Sequence, residues 1–299
     1  MKMLSDEFLK KKILTRIWDK GRKLEYFLLL SYLEDTDEEI MTELQKYQNE
    51  DGGFGHGLEP DIRMPFSSIA ATDVAIYALD FVKNHDLKEE MIKKIVTYYE
   101  NNYDATKKAW NFVTEIVDEF PRAVWWNYEN VNSFTYGNPN PELIGFLYQT
   151  RRYVTKTDIT AQMNRVIDYV NDQFIKEATM HSIQSVLQFY KRMDKDVKNL
   201  IKAKLQRTID VELEKTNGNW DEYSFEPYLV ALIDKMLLSN HLDQLDRNFQ
   251  FNLNKLETGL IEATWQWYQF EDVFEEIKDE WSGLLTLKVV QALRMHNEN

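Results

Sequence analysis

Two kinds of helical segment alternate along this chain, and that alternation most constrains its fold. Asp6 to Trp18, Ile40 to Gln48, Leu87 to Asn101, Thr157 to Phe174, Asp194 to Leu213 and Leu242 to Phe249 repeat apolar residues at three- and four-residue steps, with heavy charge between them. That period predicts helices with one face in water. Lys23 to Leu33, Ile69 to Val82, Pro141 to Thr150, Met180 to Tyr190, Phe225 to Leu237 and Trp281 to Leu293 are apolar nearly all round. A helix of that kind is buried. Outer and inner segments thus alternate six times. Links from inner to outer segments are mostly short, whereas those at 50–67, 102–139, 214–224 and 251–279 are long. Six such hairpins close naturally into an all-α fold, an α/α toroid, in a single domain over residues 1–299. The competing arrangement is an open solenoid, whose repeats are more uniform in length. In a toroid the long links share one end, and loops on a rigid scaffold usually carry function.

Charge and composition narrow the partners. The chain has 36 Lys+Arg against 50 Asp+Glu, a formal charge of −14. Nucleic acid and anionic membrane surfaces both need clustered basic residues, so neither is expected as a partner. Cysteine is absent, which excludes disulfides, thiolate nucleophiles and Cys-ligated zinc. Tyr26 to Leu30, the longest apolar run near the start, falls far short of the ~20 residues of a membrane span. Met1 to Lys12 has lysines but no apolar core, so no secretory signal is visible. A soluble, cytoplasmic protein is expected.

One turn is more specific. Gln48-Asn49-Glu50-Asp51-Gly52-Gly53-Phe54-Gly55 follows the second outer segment, and Glu214-Lys215-Thr216-Asn217-Gly218-Asn219-Trp220 repeats its register. Glycine permits sharp backbone turns, Asp51 bonds neighbouring amides, and Phe54 plugs the core below. On this reading Gly53 is needed for backbone shape. Each copy is followed by a Glu-Pro pair, Glu59-Pro60 and Glu226-Pro227. QNEDGGFG resembles the repeated Gln-x-x-Asp-Gly-Gly/Ser-Phe/Trp motif of squalene–hopene cyclases and prenyltransferase β subunits, the terpenoid cyclase and protein prenyltransferase superfamily. The resemblance implies a toroid and a site for an apolar or isoprenoid-like molecule. The catalytic signatures of those enzymes are missing. Their zinc ligands include Cys, and their Asp-x-Asp-Asp acid motif does not occur here.

The densest group of candidate catalytic residues is His56, Glu59, Asp61 and Arg63. Pro60 and Pro65 bias Leu58 to Met64 away from helix, and extended chain would point Glu59, Asp61 and Arg63 to one side. Neighbouring carboxyls drive their pKa values apart, so Glu59 is expected as general acid. Asp61, kept ionised by Arg63, is the expected base. The structural alternative is an Arg63–Asp61 ion pair with Asp51 and Glu59 as helix caps. Trp125, Trp126, Trp220, Trp265 and Trp267 fall in the long links, as ligand walls or as plugs. His181, with Gln184 and Gln188, forms a polar stripe on an inner segment. Glu142 near an inner helix start, and Asp221 and Tyr223 after the second turn, complete the substrate-binding set; capping and solvated-loop roles are the alternatives. His56 and His181 are the histidines available to zinc, but no metal or cofactor is assigned. The expected partner is a small molecule in the barrel mouth, with oligomeric state left open. Three functions remain: an acid–base enzyme on an apolar molecule, a carbohydrate-active enzyme, or a non-catalytic binding toroid.

Overall fold

A computed structural model describes residues 4–131, 136–216 and 218–297, and all regular structure among them is helical. The outer segments form α1 (Thr15–Lys20), α3 (Asp37–Gln45), α5 (His85–Asn101), α7 (Ile159–Asp172), α9 (Lys195–Thr216) and α11 (Leu242–Thr258). A π-helical stretch, Leu9–Leu14, leads into α1. The inner segments form α2 (Lys23–Leu30), α4 (Ile69–Leu79), α6 (Asn140–Gln149), α8 (Met180–Arg192), α10 (Pro227–Asp234) and α12 (Glu271–Asn297). One apolar cluster running from Leu4 to Leu293 draws on all twelve. None of these helices is long and apolar enough to cross a membrane.

Packing follows the burial pattern. α6 lies against α8, α8 against α10, α10 against α12, and α12 against α2. Among the charged segments, α3 meets α5 and α7 meets α9. Helix starts use the expected side chains: Ser68 caps α4 through the Ala71 amide at 3.0 Å, and Thr179 and Ser182 form a reciprocal capping box on α8. Asn140 does not cap α6. Its amide is spent tying the loop, taking the Trp110 N–H at 2.9 Å and donating to the Tyr136 carbonyl at 3.0 Å.

Two links differ from expectation. The expected link 251–279 shrinks to 259–270, because α11 runs on to Thr258 and α12 starts at Glu271. Val273, Phe274 and Ile277 give the added turns of α12 an apolar side, and Phe274 and Ile277 pack with Trp267. The charges between them masked that period. The long link 102–139, of which 132–135 lie outside the described residues, contains short helical turns at Glu115–Glu119 and Val124–Trp126.

The Gly-aromatic turn is built as its residues suggest, with one correction. Asp51 accepts from the Gly53 amide at 3.0 Å and from the Ser67 hydroxyl at 2.7 Å. Phe54 is fully buried, and its amide donates to Thr72 at 3.1 Å, fastening the turn to α4. The strained backbone is at Gly52, with φ +91°, not at Gly53. Gly53 is needed for space: an added Cβ would sit 2.7 Å from Ser67 and Tyr98. In the second copy Gly218 repeats the positive φ at +77°, but a Cβ there meets nothing nearer than 3.9 Å; its neighbour Asn217 lies outside the described residues. Gly52→Ala, which adds a 2.5 Å clash with the Lys94 carbonyl, should therefore cost about 3 kcal/mol. Gly218→Ala should cost only about 1 kcal/mol. Urea unfolding of the two variants checks this, and equal losses would contradict it.

Candidate functional site

The segment after the turn is not extended. The Leu58 amide donates to the Gly55 carbonyl at 3.0 Å and the Ile62 amide to the Glu59 carbonyl at 3.1 Å, so Glu59 to Ile62 forms a tight turn. Pro60 favours such a turn as readily as it disfavours helix. Backbone bonds from Ala123 to Asp61 and from Arg63 to Pro121, each 3.0 Å, then dock the segment on the 115–131 link. The turn still brings the two carboxyls together, while sending Arg63 elsewhere. Arg63 pairs with Glu280 of α12 at 2.9 Å rather than with Asp61. Its effect on Asp61 is a minor Coulombic one.

Glu59 and Asp61 are both buried, and their surroundings differ. Burial raises the Glu59 carboxyl first, and the neighbouring Asp61 charge adds to it, taking its pKa to about 8. Arg22 and Lys288 only partly offset this. Asp61 is raised by burial to about 6, held down by indole donors. Trp267 and Trp281 each donate Nε1–H to the same Asp61 oxygen at 2.6 Å. A third indole, Trp265, lies on the same side and also favours the ionised form. At neutral pH the pair therefore holds one proton and one negative charge, with the proton on Glu59.

The aromatic wall continues outward. Trp265 packs edge-on against Trp281 at 5.0 Å and against Tyr223 at 5.1 Å. The Tyr223 ring is 51% exposed, but its hydroxyl turns inward to His181 Nε2 at 3.1 Å. Burial and the charges of Asp61 and Glu59 push the Tyr223 phenol up. Desolvation, then the charge of Lys288, pushes the His181 imidazole down, although the residue keeps an exposed edge.

A second acid pair joins α4 to α6. Glu142 at the start of α6 faces Asp73 of α4, and both carboxyls are raised, chiefly by burial. Tyr99 donates to Asp73 Oδ1 at 2.5 Å, while the buried Oδ2 has no donor among the described residues. A proton shared with Glu142 satisfies it. Lys288 of α12 interacts electrostatically with both Glu59 and Glu142 and so links the two pairs.

The expected residues thus divide. Glu59, Asp61, His181, Tyr223, Trp265 and Trp267 form one connected group, whereas Glu142 pairs with Asp73. His56 joins neither: it is exposed, in a left-handed conformation with φ +56°, and pairs with Asn49 Oδ1 at 2.9 Å. Asp221 faces solvent. Trp125 and Trp126 pack the 115–131 link onto the neighbourhood of the acid pair, with Trp126 edge-on to Phe112 at 5.3 Å. Sequence reasoning missed Asp73, Trp281, Lys288 and the Arg22–Glu25 pair. Three of these sites carry a legible signal, a charge inside an apolar stretch: Asp73 in IAATDVAIYAL, Lys288 in LLTLKVVQAL and Glu25 in LEYFLLL. Two surface hollows of about 300 and 220 Å³ contain none of the converging ionisable groups. Among the described residues no group of three or more His, Asp or Glu is arranged to hold a metal ion. No family model, curated protein or solved structure matches this chain.

Proposed function

We propose that the inner helices close into an α/α toroid and that the chamber within it performs acid–base chemistry on a small hydroxylated molecule. The packing order α6–α8–α10–α12–α2 supports closure, as do two contacts of α4. Asp73 meets Glu142 on α6, and the Tyr77 hydroxyl donates to Gln291 on α12 at 2.9 Å. The similarity of QNEDGGFG to the turns of terpenoid cyclases and prenyltransferases favours the same architecture.

The observation that carries the chemistry is the unequal acid pair. Glu59, protonated at neutral pH, is the general acid; Asp61, ionised among indole donors, is the base or charge stabiliser. The second Glu-Pro copy provides an internal contrast. Glu226 Oε2 accepts from Asn248 at 2.7 Å and from Asn252 at 2.8 Å, so its carboxyl is occupied in fastening α11. The Glu59 carboxyl takes its bond from the Asp61 backbone amide instead.

The interior favours one substrate class. Carbocation chemistry on isoprenoids needs a hydrocarbon-lined pocket, whereas Glu142, Asp73, Lys288, His181 and Tyr223 offer donors and acceptors beside an aromatic wall. That lining suits a neutral polyol or sugar. Incubation with aryl glycosides, and with aldoses in D₂O, tests this by product release and by proton exchange followed by NMR. Turnover should rise through pH ~6 and fall beyond ~8, and should vanish in Glu59→Gln and Asp61→Asn. Absence of turnover on every member, or turnover indifferent to both substitutions, would contradict the reading.

A further inference from the structure

We propose that the larger surface hollow, beside the Gly-aromatic turn, is a second binding site and that its ligand is one neutral sugar ring. The site lies apart from the acid pair and does not rest on the chemistry proposed there. Its volume of about 300 Å³ is at the low end of the range for small-molecule sites, enough for a single pyranose. The hollow opens between the start of α4, the end of α5 and residues 111–115.

The QNEDGGFG turn builds one wall. The Ser67 hydroxyl donates to Asp51 at 2.7 Å and accepts from Asn49 Nδ2 at 3.0 Å, which fixes the rim. Any side chain at Gly53 would meet Ser67 and the Tyr98 ring at 2.7 Å, so bare backbone lets that ring close against the turn. Across the hollow, the Phe112 carbonyl accepts from the Ala70 amide at 3.2 Å and ties residues 111–115 to α4. Walls held in this way are set before a ligand arrives.

The polar groups of the hollow are the ones left without partners. Tyr98 lines it and is only 5% exposed, yet its hydroxyl makes no hydrogen bond with a described residue. That oxygen is not among the sealed, unpaired atoms of the core, so it opens on the hollow. A phenol this enclosed ordinarily has a partner. Burial raises its pKa, so the hydroxyl stays protonated and can both donate and accept. Asn102 spends Nδ2 on the Tyr98 carbonyl at 2.8 Å, and Asn111 spends Oδ1 on Lys107 at 3.0 Å. Asn102 Oδ1 and Asn111 Nδ2 remain for a ligand, and Thr114 adds a hydroxyl. These stand beside the rings of Phe112 and Tyr128, and a pyranose offers hydroxyls to the first group and C–H faces to the second. No Lys or Arg lines the hollow and Glu115 is its one carboxylate, so an anion finds no counter-charge. A wholly apolar ligand would strand the Tyr98 hydroxyl.

NMR of the full chain, ¹⁵N-labelled at asparagine and tryptophan, tests this. The protein is titrated with D-glucose, D-galactose, D-mannose and N-acetyl-D-glucosamine, with sodium acetate as the anionic comparison. At least one sugar should shift the Asn102 and Asn111 side-chain amides with a Kd of about 1 mM, as suits so small a ligand. Tyr98→Phe and Thr114→Val each remove one hydroxyl and should weaken that sugar about fivefold. Thermal stability should hold in both, because neither hydroxyl bonds anything in the fold. A trisaccharide ending in the same sugar distinguishes its source: equal binding supports a site for a chain end, and exclusion supports a site for the free monosaccharide. Amides unmoved by all four sugars, a stronger response to acetate, or affinity indifferent to both substitutions would overturn the proposal. Shifts confined to the Trp265 and Trp267 indoles would place the sugar at the acid pair, overturning this site while leaving that reading intact.

Discussion

Replacing Arg22 by Met should destabilise the protein by about 3–5 kcal/mol at pH 7. Arg22 binds Glu25 through two bonds, Nε at 3.0 Å and a terminal nitrogen at 2.6 Å, and the Glu25 side chain is 0% exposed. The other terminal nitrogen donates to the Gly57 and Leu58 carbonyls at 3.0 and 2.9 Å, immediately before Glu59. Glu280 lies 3.7 Å away and is shared between Arg22 and Arg63. Removing the guanidinium strands a fully buried carboxylate and two loop carbonyls at once. The double variant Arg22→Met/Glu25→Leu removes the stranded charge and should recover part of the loss, with the carbonyls accounting for the remainder. Guanidinium unfolding of the three proteins checks the order. A loss under about 1 kcal/mol in the single variant would mean that the pair behaves like a surface ion pair.

Glu59→Gln should raise stability at pH 8 while changing it little at pH 5. A carboxyl whose folded pKa of about 8 exceeds its ordinary 4.5 keeps a proton that the unfolded chain has released. Its stabilising contribution is complete below pH ~4.5 and is lost as pH rises towards ~8. Each pH unit with one extra bound proton is worth about 1.4 kcal/mol, so the wild type should lose about 2–3 kcal/mol between pH 6 and 8 through this group. Gln resembles the protonated acid and has nothing to lose. Asp73 and Glu142 are raised in the same direction, so the variant keeps a reduced slope rather than none. His181, with a lowered pKa, acts oppositely, and only below about its ordinary 6.5. Thermal midpoints measured at half-unit steps from pH 5 to 8.5 decide the matter. Parallel curves for the two proteins would rule out a raised Glu59.

Helix identity was legible because it is a local property. The apolar period of Val166, Tyr169 and Val170 in α7, or the continuous apolarity of IAATDVAIYAL in α4, states both conformation and burial within one stretch of chain. The site was legible only as a neighbourhood. Glu59 and Asp61 advertise themselves by proximity, but what distinguishes them comes from far away: Trp267 and Trp281 reach Asp61 across 206 and 220 positions. The extended reading of Leu58 to Met64 failed because Pro60 favours a turn as well as a strand, and the Arg63–Asp61 pairing failed with it. His56 looked functional because Glu59, Asp61 and Arg63 follow it so closely in a Gly/Pro loop. The glycines of that loop shape the backbone that turns its ring out to Asn49. Asp73 and Lys288 were overlooked for the converse reason. One charge barely alters the mean apolarity of a helix, yet it is the residue that a buried helix has most need to explain.

The unequal acid pair is tested most directly by NMR of the protein carrying ¹³C-labelled carboxyls and ¹⁵N-labelled indoles. The Glu59 carboxyl should titrate near pH 8 and the Asp61 carboxyl near pH 6. The Nε1–H resonances of Trp267 and Trp281 should follow the Asp61 midpoint, and Asp61→Asn should abolish that response. Both carboxyls titrating together near their ordinary values of 4.5 and 3.8, with the indole signals unmoved at pH 6, would contradict the account.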